Sequence, residues 1–233
     1  LNFKPMRSNI YVIDLFCGLG GASKGFALGG ATIVLGIDLW RAQLCVHALN
    51  HPDANHVLMT MGGDPVAFAH TLRAYVAKCL PEGAHVHLHG SPPCQDFSAA
   101  NRTQKTADTD KCKLTLWFLD VVQALAPDSW SFENVPKAYE TVRGHPVFRE
   151  EGAHLATGVQ GFEYGVPTLR KRIYGGRGLG ILNLQVTLLQ TPASVPLSGF
   201  LPKDAFPQQD WSNVYIANTT DNSTIRGKQV KVD

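Results

Sequence analysis

Hydrophobic and polar positions up to Val135 follow two periods in turn, one typical of strands and one typical of helices. Short apolar and β-branched runs predict buried strands at 9–16, 31–38, 85–89 and 129–135. Apolar residues at helical spacing predict helices at 22–28, 41–49, 65–80 and 113–125. Alternating strands and helices indicate an α/β fold, in which helices cover a mostly parallel sheet.

The pattern changes beyond about Gly161. Short strands are predicted at 172–174 and 181–189, and residues 191–233 are rich in Pro, Ser, Asn and Asp with little periodicity. A length of 233 residues suits one large domain or one domain with an appendage.

Composition excludes some classes of protein. No apolar run of about 18 residues predicts a membrane span, and the N-terminus lacks the apolar block of an export signal, so we expect an intracellular protein. Five cysteines without a C-x-x-C pair argue against a disulfide framework and a zinc cluster. The net charge of +2 is too small to indicate a partner.

The segment DLFCGLGG, residues 14–21, predicts a strand that runs into a glycine turn and then a helix. Gly18, Gly20 and Gly21 would let a ligand approach the backbone closely at the carboxyl edge of the sheet, although a tight turn with a helix cap is the simpler reading. Ser23 stands where a dinucleotide-binding loop has Gly or Ala, which disfavours NAD.

Asp38 ends the next predicted strand, 18 residues after Gly20. A carboxylate at this place could accept hydrogen bonds from both ribose hydroxyls of a nucleoside-type ligand. The two features together favour a cofactor site.

The segment GSPPCQDFS, residues 90–98, places a thiol on a restricted backbone. Pro92 and Pro93 precede Cys94, and the polar Gln95 follows it. An inert core cysteine is the usual interpretation of a single thiol, but it would not need rigid polar flanks. Cys94 is therefore a candidate nucleophile, which requires a nearby base or positive charge.

Two later segments supply charged groups. FENVP, residues 132–136, places Glu133 at the carboxyl end of a predicted strand, where it could act as an acid with a raised pKa or simply cap a helix. YGVPTLRKRIY, residues 164–174, places Arg170 and Arg172 on one face of an extended segment, where they could bind a carbonyl or phosphate or form a solvated edge strand.

These four motifs, in this order, resemble those of the DNA (cytosine-5)-methyltransferase family over roughly residues 10–177. DLFCGLGG resembles the family's S-adenosylmethionine loop, GSPPCQDFS its Pro-Cys-Gln motif, ENV its Glu-Asn-Val motif and GVPTLRKR its Gln-x-Arg-x-Arg motif. The resemblance implies a Rossmann-like S-adenosylmethionine-dependent methyltransferase fold, with a mostly parallel sheet and helices on both faces. It also implies which residues hold the cofactor: Phe16, Gly18, Gly20 and Gly21 line it, Asp38 binds the ribose, Leu39 stacks on adenine and Asp64 meets the adenine amino group.

The resemblance further implies a reaction on cytosine in DNA. Cys94 would add to C6 of a base that has left the duplex, Glu133 would protonate or hydrogen-bond N3, and Arg172 would hold the O2 carbonyl. Arg170 would support the cysteine loop or the cofactor side. The enzyme would be cytoplasmic in a prokaryote or nuclear in a eukaryote.

The chain departs from the family pattern in three ways. Thr168 stands where the family usually has Gln, Asp96 follows Pro-Cys-Gln, and the family's last two motifs are not found. We therefore expect residues 1–180 to form the catalytic, S-adenosylmethionine-binding domain and residues 181–233 to begin a target-recognition region that is truncated.

Three alternatives remain open. The chain could bind the cofactor or DNA, or regulate a partner, without catalysis, or it could act on RNA. His85, His87 and His89 also share one strand face, as metal ligands can. Because a lone strand rarely completes a metal site, we predict no metal dependence, which chelator-sensitive methyl transfer would contradict. The sequence does not indicate an oligomeric state or a target sequence.

Overall fold

The computed structural model describes residues 9–93, 112–161 and 168–178, and the backbone of 215–216 and 228–229. The first part contains β1 (Ile10–Leu15), α1 (Gly21–Leu28), β2 (Thr32–Asp38), α2 (Arg41–Asn50), β3 (Asn55–Leu58), α3 (Pro65–Cys79) and β4 (His85–Gly90). The second contains α4 (Lys113–Leu125), β5 (Ser129–Asn134), α5 (Tyr139–Val142), β6 (Ala153–Gln160) and β7 (Lys171–Arg177). Two short strands, β8 (Tyr215–Ile216) and β9 (Lys228–Gln229), pair with each other.

Strands β1 to β7 form one sheet in the order β3-β2-β1-β4-β5-β7-β6. The pairs among β1 to β5 are parallel, whereas β7 runs antiparallel to both β5 and β6. The chain moves outward from β1 to β3 and then crosses to β4 on the other side of β1. Folds of this kind bind ligands where the strand order reverses, outside the carboxyl ends of β1 and β4.

Helix α4 packs tightly onto the middle of this sheet. Phe118 in α4 and the β5 residues Trp130 and Phe132 are fully buried. A Cβ atom on Gly90 would lie only 2.4 Å from the Phe118 ring, so glycine at the end of β4 permits the close contact. This packing fixes the start of the segment that follows β4.

The eight strands and helices predicted before Val135 are all confirmed, with bounds that differ by at most one residue at either end. Strands β3 and β6 were not predicted, because NHVL and AHLATGVQ are short or partly exposed and show no clear period. The strand predicted at 181–189 lies outside the described residues. Within the described parts, no helix is long and apolar enough to cross a membrane.

Candidate functional site

The predicted site segments converge on one edge of the sheet. The glycine loop follows β1, Asp38 ends β2, Pro92 follows β4 and Glu133 lies near the end of β5. Because these strands are parallel, their carboxyl ends lie at the same edge, and the antiparallel β7 brings Arg172 to it as well.

The glycine loop is built from left-handed backbone conformations. Gly18 and Gly20 have φ values of +53° and +92°, and Phe16 has a φ of +58°. A Cβ on Gly21 would meet nothing within 4 Å, whereas one on Gly20 would lie 3.0 Å from the His51 ring. Glycine is therefore required at position 20 by both its backbone conformation and packing beneath the loop.

Two side chains at the end of α2 hold the loop from below. Asn50 donates from Nδ2 to the Leu19 carbonyl at 3.0 Å, and His51 Nε2 lies 3.3 Å from the Gly20 carbonyl oxygen. Sequence analysis missed both residues, since neither belongs to a recognised motif. They explain how a loop with three left-handed residues keeps one shape.

Asp14, in the same motif, lies under the loop and is fully buried. Its Oδ2 accepts a hydrogen bond from the Ser23 hydroxyl at 2.6 Å, and Ser23 Oγ lies 3.1 Å from His47 Nε2. Burial raises the pKa of Asp14 to about 7 and lowers the pKa of His47 to about 4. The His47 imidazole under the loop is therefore neutral at neutral pH.

Asp38 is positioned by two backbone amides. Gly18 N donates to its Oδ2 at 2.9 Å, and Trp40 N donates to its Oδ1 at 2.8 Å. A carboxylate can accept about four hydrogen bonds, so each oxygen keeps acceptor capacity for a ribose hydroxyl. The donor set of this site therefore fits a nucleoside-type cofactor.

The predicted cofactor residues Leu39 and Asp64 lie in the segments that follow β2 and β3. Leu39 is 50% exposed, as an adenine-stacking residue requires, and the adjacent Trp40 is 59% exposed. Asp64 caps α3 by accepting a hydrogen bond from Val66 N at 2.9 Å. Trp40 is a second stacking candidate that sequence analysis missed. Its position two residues after Asp38 could have indicated this role.

Glu133 and Arg172 form an ion pair at this edge. Glu133 Oε1 lies 2.5 Å from Arg172 Nε, and Arg172 Nη1 donates to the Lys171 carbonyl at 2.8 Å. Burial raises the pKa of Glu133, and Arg172 opposes the rise without cancelling it. Glu133 therefore takes up a proton at higher pH than an exposed glutamate does.

Arg170 lies just before β7 and is exposed. Its backbone N donates to Thr168 Oγ1 at 3.2 Å, which forms a local turn. Thr168 is the residue that stands where the family usually has Gln. The structure therefore separates the two arginines, with Arg172 on Glu133 and Arg170 at the exposed start of the strand.

Asn134 connects three elements of the site. It is buried, and its Nδ2 donates to the Pro92 carbonyl at 3.2 Å and to Thr115 Oγ1 of α4 at 2.9 Å. Asn134 thereby fixes the segment that leads into Cys94, and Cys94 itself lies outside the described residues. Sequence analysis named only the glutamate of this motif and missed its neighbour.

Asn134→Ala is expected to lower the free energy of unfolding by about 1–3 kcal/mol, because it leaves buried polar partners unpaired. Urea denaturation measures this loss. Asn55→Ala is the matched control, since exposed Asn55 Nδ2 donates to Tyr75 OH at 2.8 Å. Equal losses in the two variants would contradict the role assigned to Asn134.

Comparison with known structures identifies the class. The chain superposes with a TM-score of 0.56 and 25% identity on a crystal structure described as a DNA modification methyltransferase encoded within an E. coli prophage, over 85% of this chain and 52% of that one. It has the same fold as the S. pombe Dnmt2 methyltransferase, with a TM-score of 0.56 and 22% identity over 89% of this chain and 63% of that one. The fold is thus Rossmann-like and of the S-adenosylmethionine-dependent methyltransferase type, as predicted.

The family follows from the sequence profile of the C-5 cytosine-specific DNA methylases, which matches residues 10–185. The chain belongs to this family, which confirms the predicted resemblance.

Curated relatives agree with this assignment. Type II methyltransferase M.HgiDI of Herpetosiphon aurantiacus is 32% identical over 192 residues, which are 80% of this chain and 58% of the relative. M.HgiGI of the same organism is 33% identical over 126 residues, which are 54% of this chain and 90% of the relative. The chain spans about half the length of M.HgiDI and of the related M.HgiDII.

Proposed function

We propose that this chain transfers a methyl group from S-adenosylmethionine to C5 of cytosine in DNA, with Cys94 as a covalent nucleophile. The observation that carries the proposal is the Glu133–Arg172 pair, which lies at the same sheet edge as the glycine loop and the segment leading into Cys94. Such an acid–cation pair suits a ring that gains negative charge while a nucleophile adds to it.

The cofactor would lie across the carboxyl ends of β1 and β2. Asp38 would accept hydrogen bonds from the ribose hydroxyls, Leu39 would contact adenine, and Asp64 would meet its amino group. Phe16 and the glycines of the loop would line the remaining surface. When bound there, S-adenosylmethionine supplies an electrophilic methyl group.

The protein's task is to make C5 nucleophilic. The Cys94 thiolate would form a bond to C6, and the electron pair of the C5–C6 double bond would move toward N3 and O2. Methyl transfer would form the C5–CH3 bond as the methyl–sulfur bond of the donor breaks, and loss of the C5 proton would then restore the double bond and break the C6–S bond. Elimination would release Cys94 as a thiolate, and the net release of one proton per turnover is that of the C5 proton.

Glu133 and Arg172 would stabilise the charge on the ring. A raised pKa keeps Glu133 protonated at higher pH than an exposed glutamate, so it can donate to N3. Arg172 uses Nε and Nη1 within the protein, and Nη2 would be directed at O2. Arg170 would support the cysteine loop or the cofactor side.

The base would have to leave the duplex, because the thiol attacks C6 from above the ring. Unstacking and unpairing cost about a few kcal/mol, which contacts to the DNA backbone would offset. In this proposal residues 1–180 bind the cofactor and perform the chemistry, and residues 181–233 begin the region that reads the target.

A second candidate function rests on the chain's extent. Because the chain spans about half of M.HgiDI and M.HgiDII, it could bind the cofactor and DNA without transferring methyl groups by itself. Incubation with DNA of mixed sequence and methyl-labelled S-adenosylmethionine separates the two candidates. Label recovered as 5-methylcytosine supports the enzyme, and cofactor binding without label supports the second candidate.

Asp38→Asn is expected to raise the dissociation constant of S-adenosylmethionine about tenfold to a hundredfold. Both Asp38 oxygens accept backbone N–H groups, so the amide NH2 of the variant must face one of those donors. Isothermal titration calorimetry measures the change. Exposed Asp53→Asn is the control, and equal affinities in both variants would contradict the predicted cofactor site.

A further inference from the structure

Three histidines and three serines form one continuous series of hydrogen bonds along β4 and β5, which we name the His–Ser ladder. Successive nitrogen–oxygen distances are 2.8, 2.8, 2.8, 2.8 and 3.1 Å. In order, the ladder contains His85, Ser129, His87, Ser131, His89 and Ser91.

Strand register explains the ladder. In the parallel pairing of β4 with β5, the register partner of His87 is Ser129 and that of His89 is Ser131. These side chains therefore share one face of the sheet. Each serine hydroxyl lies between two imidazoles, and each buried imidazole uses both ring nitrogens. Phe26 of α1 covers this face, with ring centroids 4.9 Å from His87 and 5.2 Å from His89.

The ladder has a direction that can reverse. A neutral imidazole donates from one nitrogen and accepts at the other, and a serine hydroxyl donates one hydrogen bond. When each of Ser129 and Ser131 donates to one neighbouring imidazole and accepts from the other, all links point toward His85 or all point toward Ser91. Shifting one proton along every link converts one arrangement into the other.

Burial keeps the interior imidazoles neutral. It lowers the pKa of His87 to about 3, with help from the two flanking histidines, and lowers the pKa of His89 to about 4. In the parallel pairing of β1 with β4, Asp14 is the register partner of His89. Neutral rings are what a relay of tautomers requires, since a trapped charge would fix the direction.

The ladder connects solvent to the proposed active site. His85 is partly exposed at the amino end of β4. Ser91, at the other end, donates from its backbone N to the Leu15 carbonyl at 3.2 Å and directly precedes Pro92. Strand β4 lies between β1 and β5, so Ser91 at its carboxyl end lies between the glycine loop after β1 and Glu133 near the end of β5. Glu133 stands two residues beyond Ser131 on β5.

We propose that the His–Ser ladder relays protons between the active-site edge at Ser91 and solvent at His85, a role that rests on the proposed function. The reaction needs two opposite proton movements: the Cys94 thiol loses its proton before addition to C6, and the thiolate regains one after elimination. One outward and one inward passage per turnover serve both steps and return the ladder to its starting direction.

Each passage conserves protons. In the outward passage Ser91 takes up a proton, its own hydroxyl proton moves to His89 Nε2, and the His89 Nδ1 proton moves to Ser131. The same exchange passes through His87 and Ser129 to His85 Nε2, and His85 releases its Nδ1 proton to water. The inward passage reverses every step, and the C5 proton leaves separately to water.

Single-turnover methyl transfer by variants at both ends and in the middle tests this proposal. His85→Ala is expected to slow transfer about tenfold or more, and imidazole added to the buffer is expected to restore it, because a diffusible base replaces the outlet. Ser131→Ala is expected to be as slow and not restored by imidazole, whereas Ser131→Thr, which keeps the hydroxyl, returns most of the rate.

Two control variants distinguish loss of the proton relay from loss of stability. Val86→Ala removes buried carbon on the opposite face of β4, and His70→Ala removes an exposed histidine outside the ladder; both are expected to transfer at the wild-type rate. Ladder variants that transfer within twofold of wild type, or His85→Ala that imidazole does not restore, would overturn the relay alone. Absence of transfer by the wild-type chain would overturn the proposed function, and the relay with it.

Discussion

Glu133→Gln is expected to slow methyl transfer by about 10²–10⁴-fold, the usual contribution of a positioned acid. The amide keeps the shape of the side chain but cannot give a proton to N3, and it removes the charge that pairs with Arg172. Single-turnover transfer measures the rate, and calorimetry is expected to show unchanged cofactor affinity.

The pH dependence of methyl transfer tests the acid role of Glu133 independently. Because burial raises the pKa of Glu133, its protonated form persists to higher pH than in an exposed glutamate. The wild-type rate is expected to fall as pH rises through that pKa, and Glu133→Gln is expected to lose this limb. Exposed Glu140→Gln, whose carboxylate pairs with Arg143, is the control. A Glu133→Gln rate within threefold of wild type would contradict the acid role.

Cys94→Ala is expected to abolish methyl transfer, since no other group in the proposal can activate C5. Loss by at least about 10⁴-fold is expected, with cofactor affinity unchanged. Cys79→Ala, at an exposed free cysteine of α3, is the control and is expected to be fully active. Residual transfer by Cys94→Ala near the wild-type rate would refute covalent catalysis by this residue.

Much of the fold could be predicted because its central elements are strongly periodic. Helix α4 was predicted and observed at Lys113–Leu125, since its buried residues recur at helical spacing against β4 and β5. Strand β3 could not be predicted, because it has four residues and, among the described strands, pairs with β2 alone at the edge of the sheet. Local sequence decides a buried helix, whereas tertiary pairing decides a short edge strand.

The site was only partly predictable for a similar reason. The motifs indicate Asp38 and Glu133 because such carboxylates follow strands at the ligand-binding edge. They do not indicate that Asn134 reaches the Pro92 carbonyl, 42 residues earlier, or that Ser131 lies between two imidazoles. Those contacts depend on the register of β4 against β5, which no local pattern contains.

The central claim is covalent attack on cytosine, and trapping on DNA that contains 5-fluorocytosine tests it most directly. Fluorine at C5 cannot leave as a proton does, so the C6–S bond stays intact after methyl transfer. A denaturing gel is expected to show a protein–DNA band that requires S-adenosylmethionine and is absent with Cys94→Ala. No band from the wild-type chain, with cofactor binding intact, would contradict the account and leave a chain that binds the cofactor without catalysis.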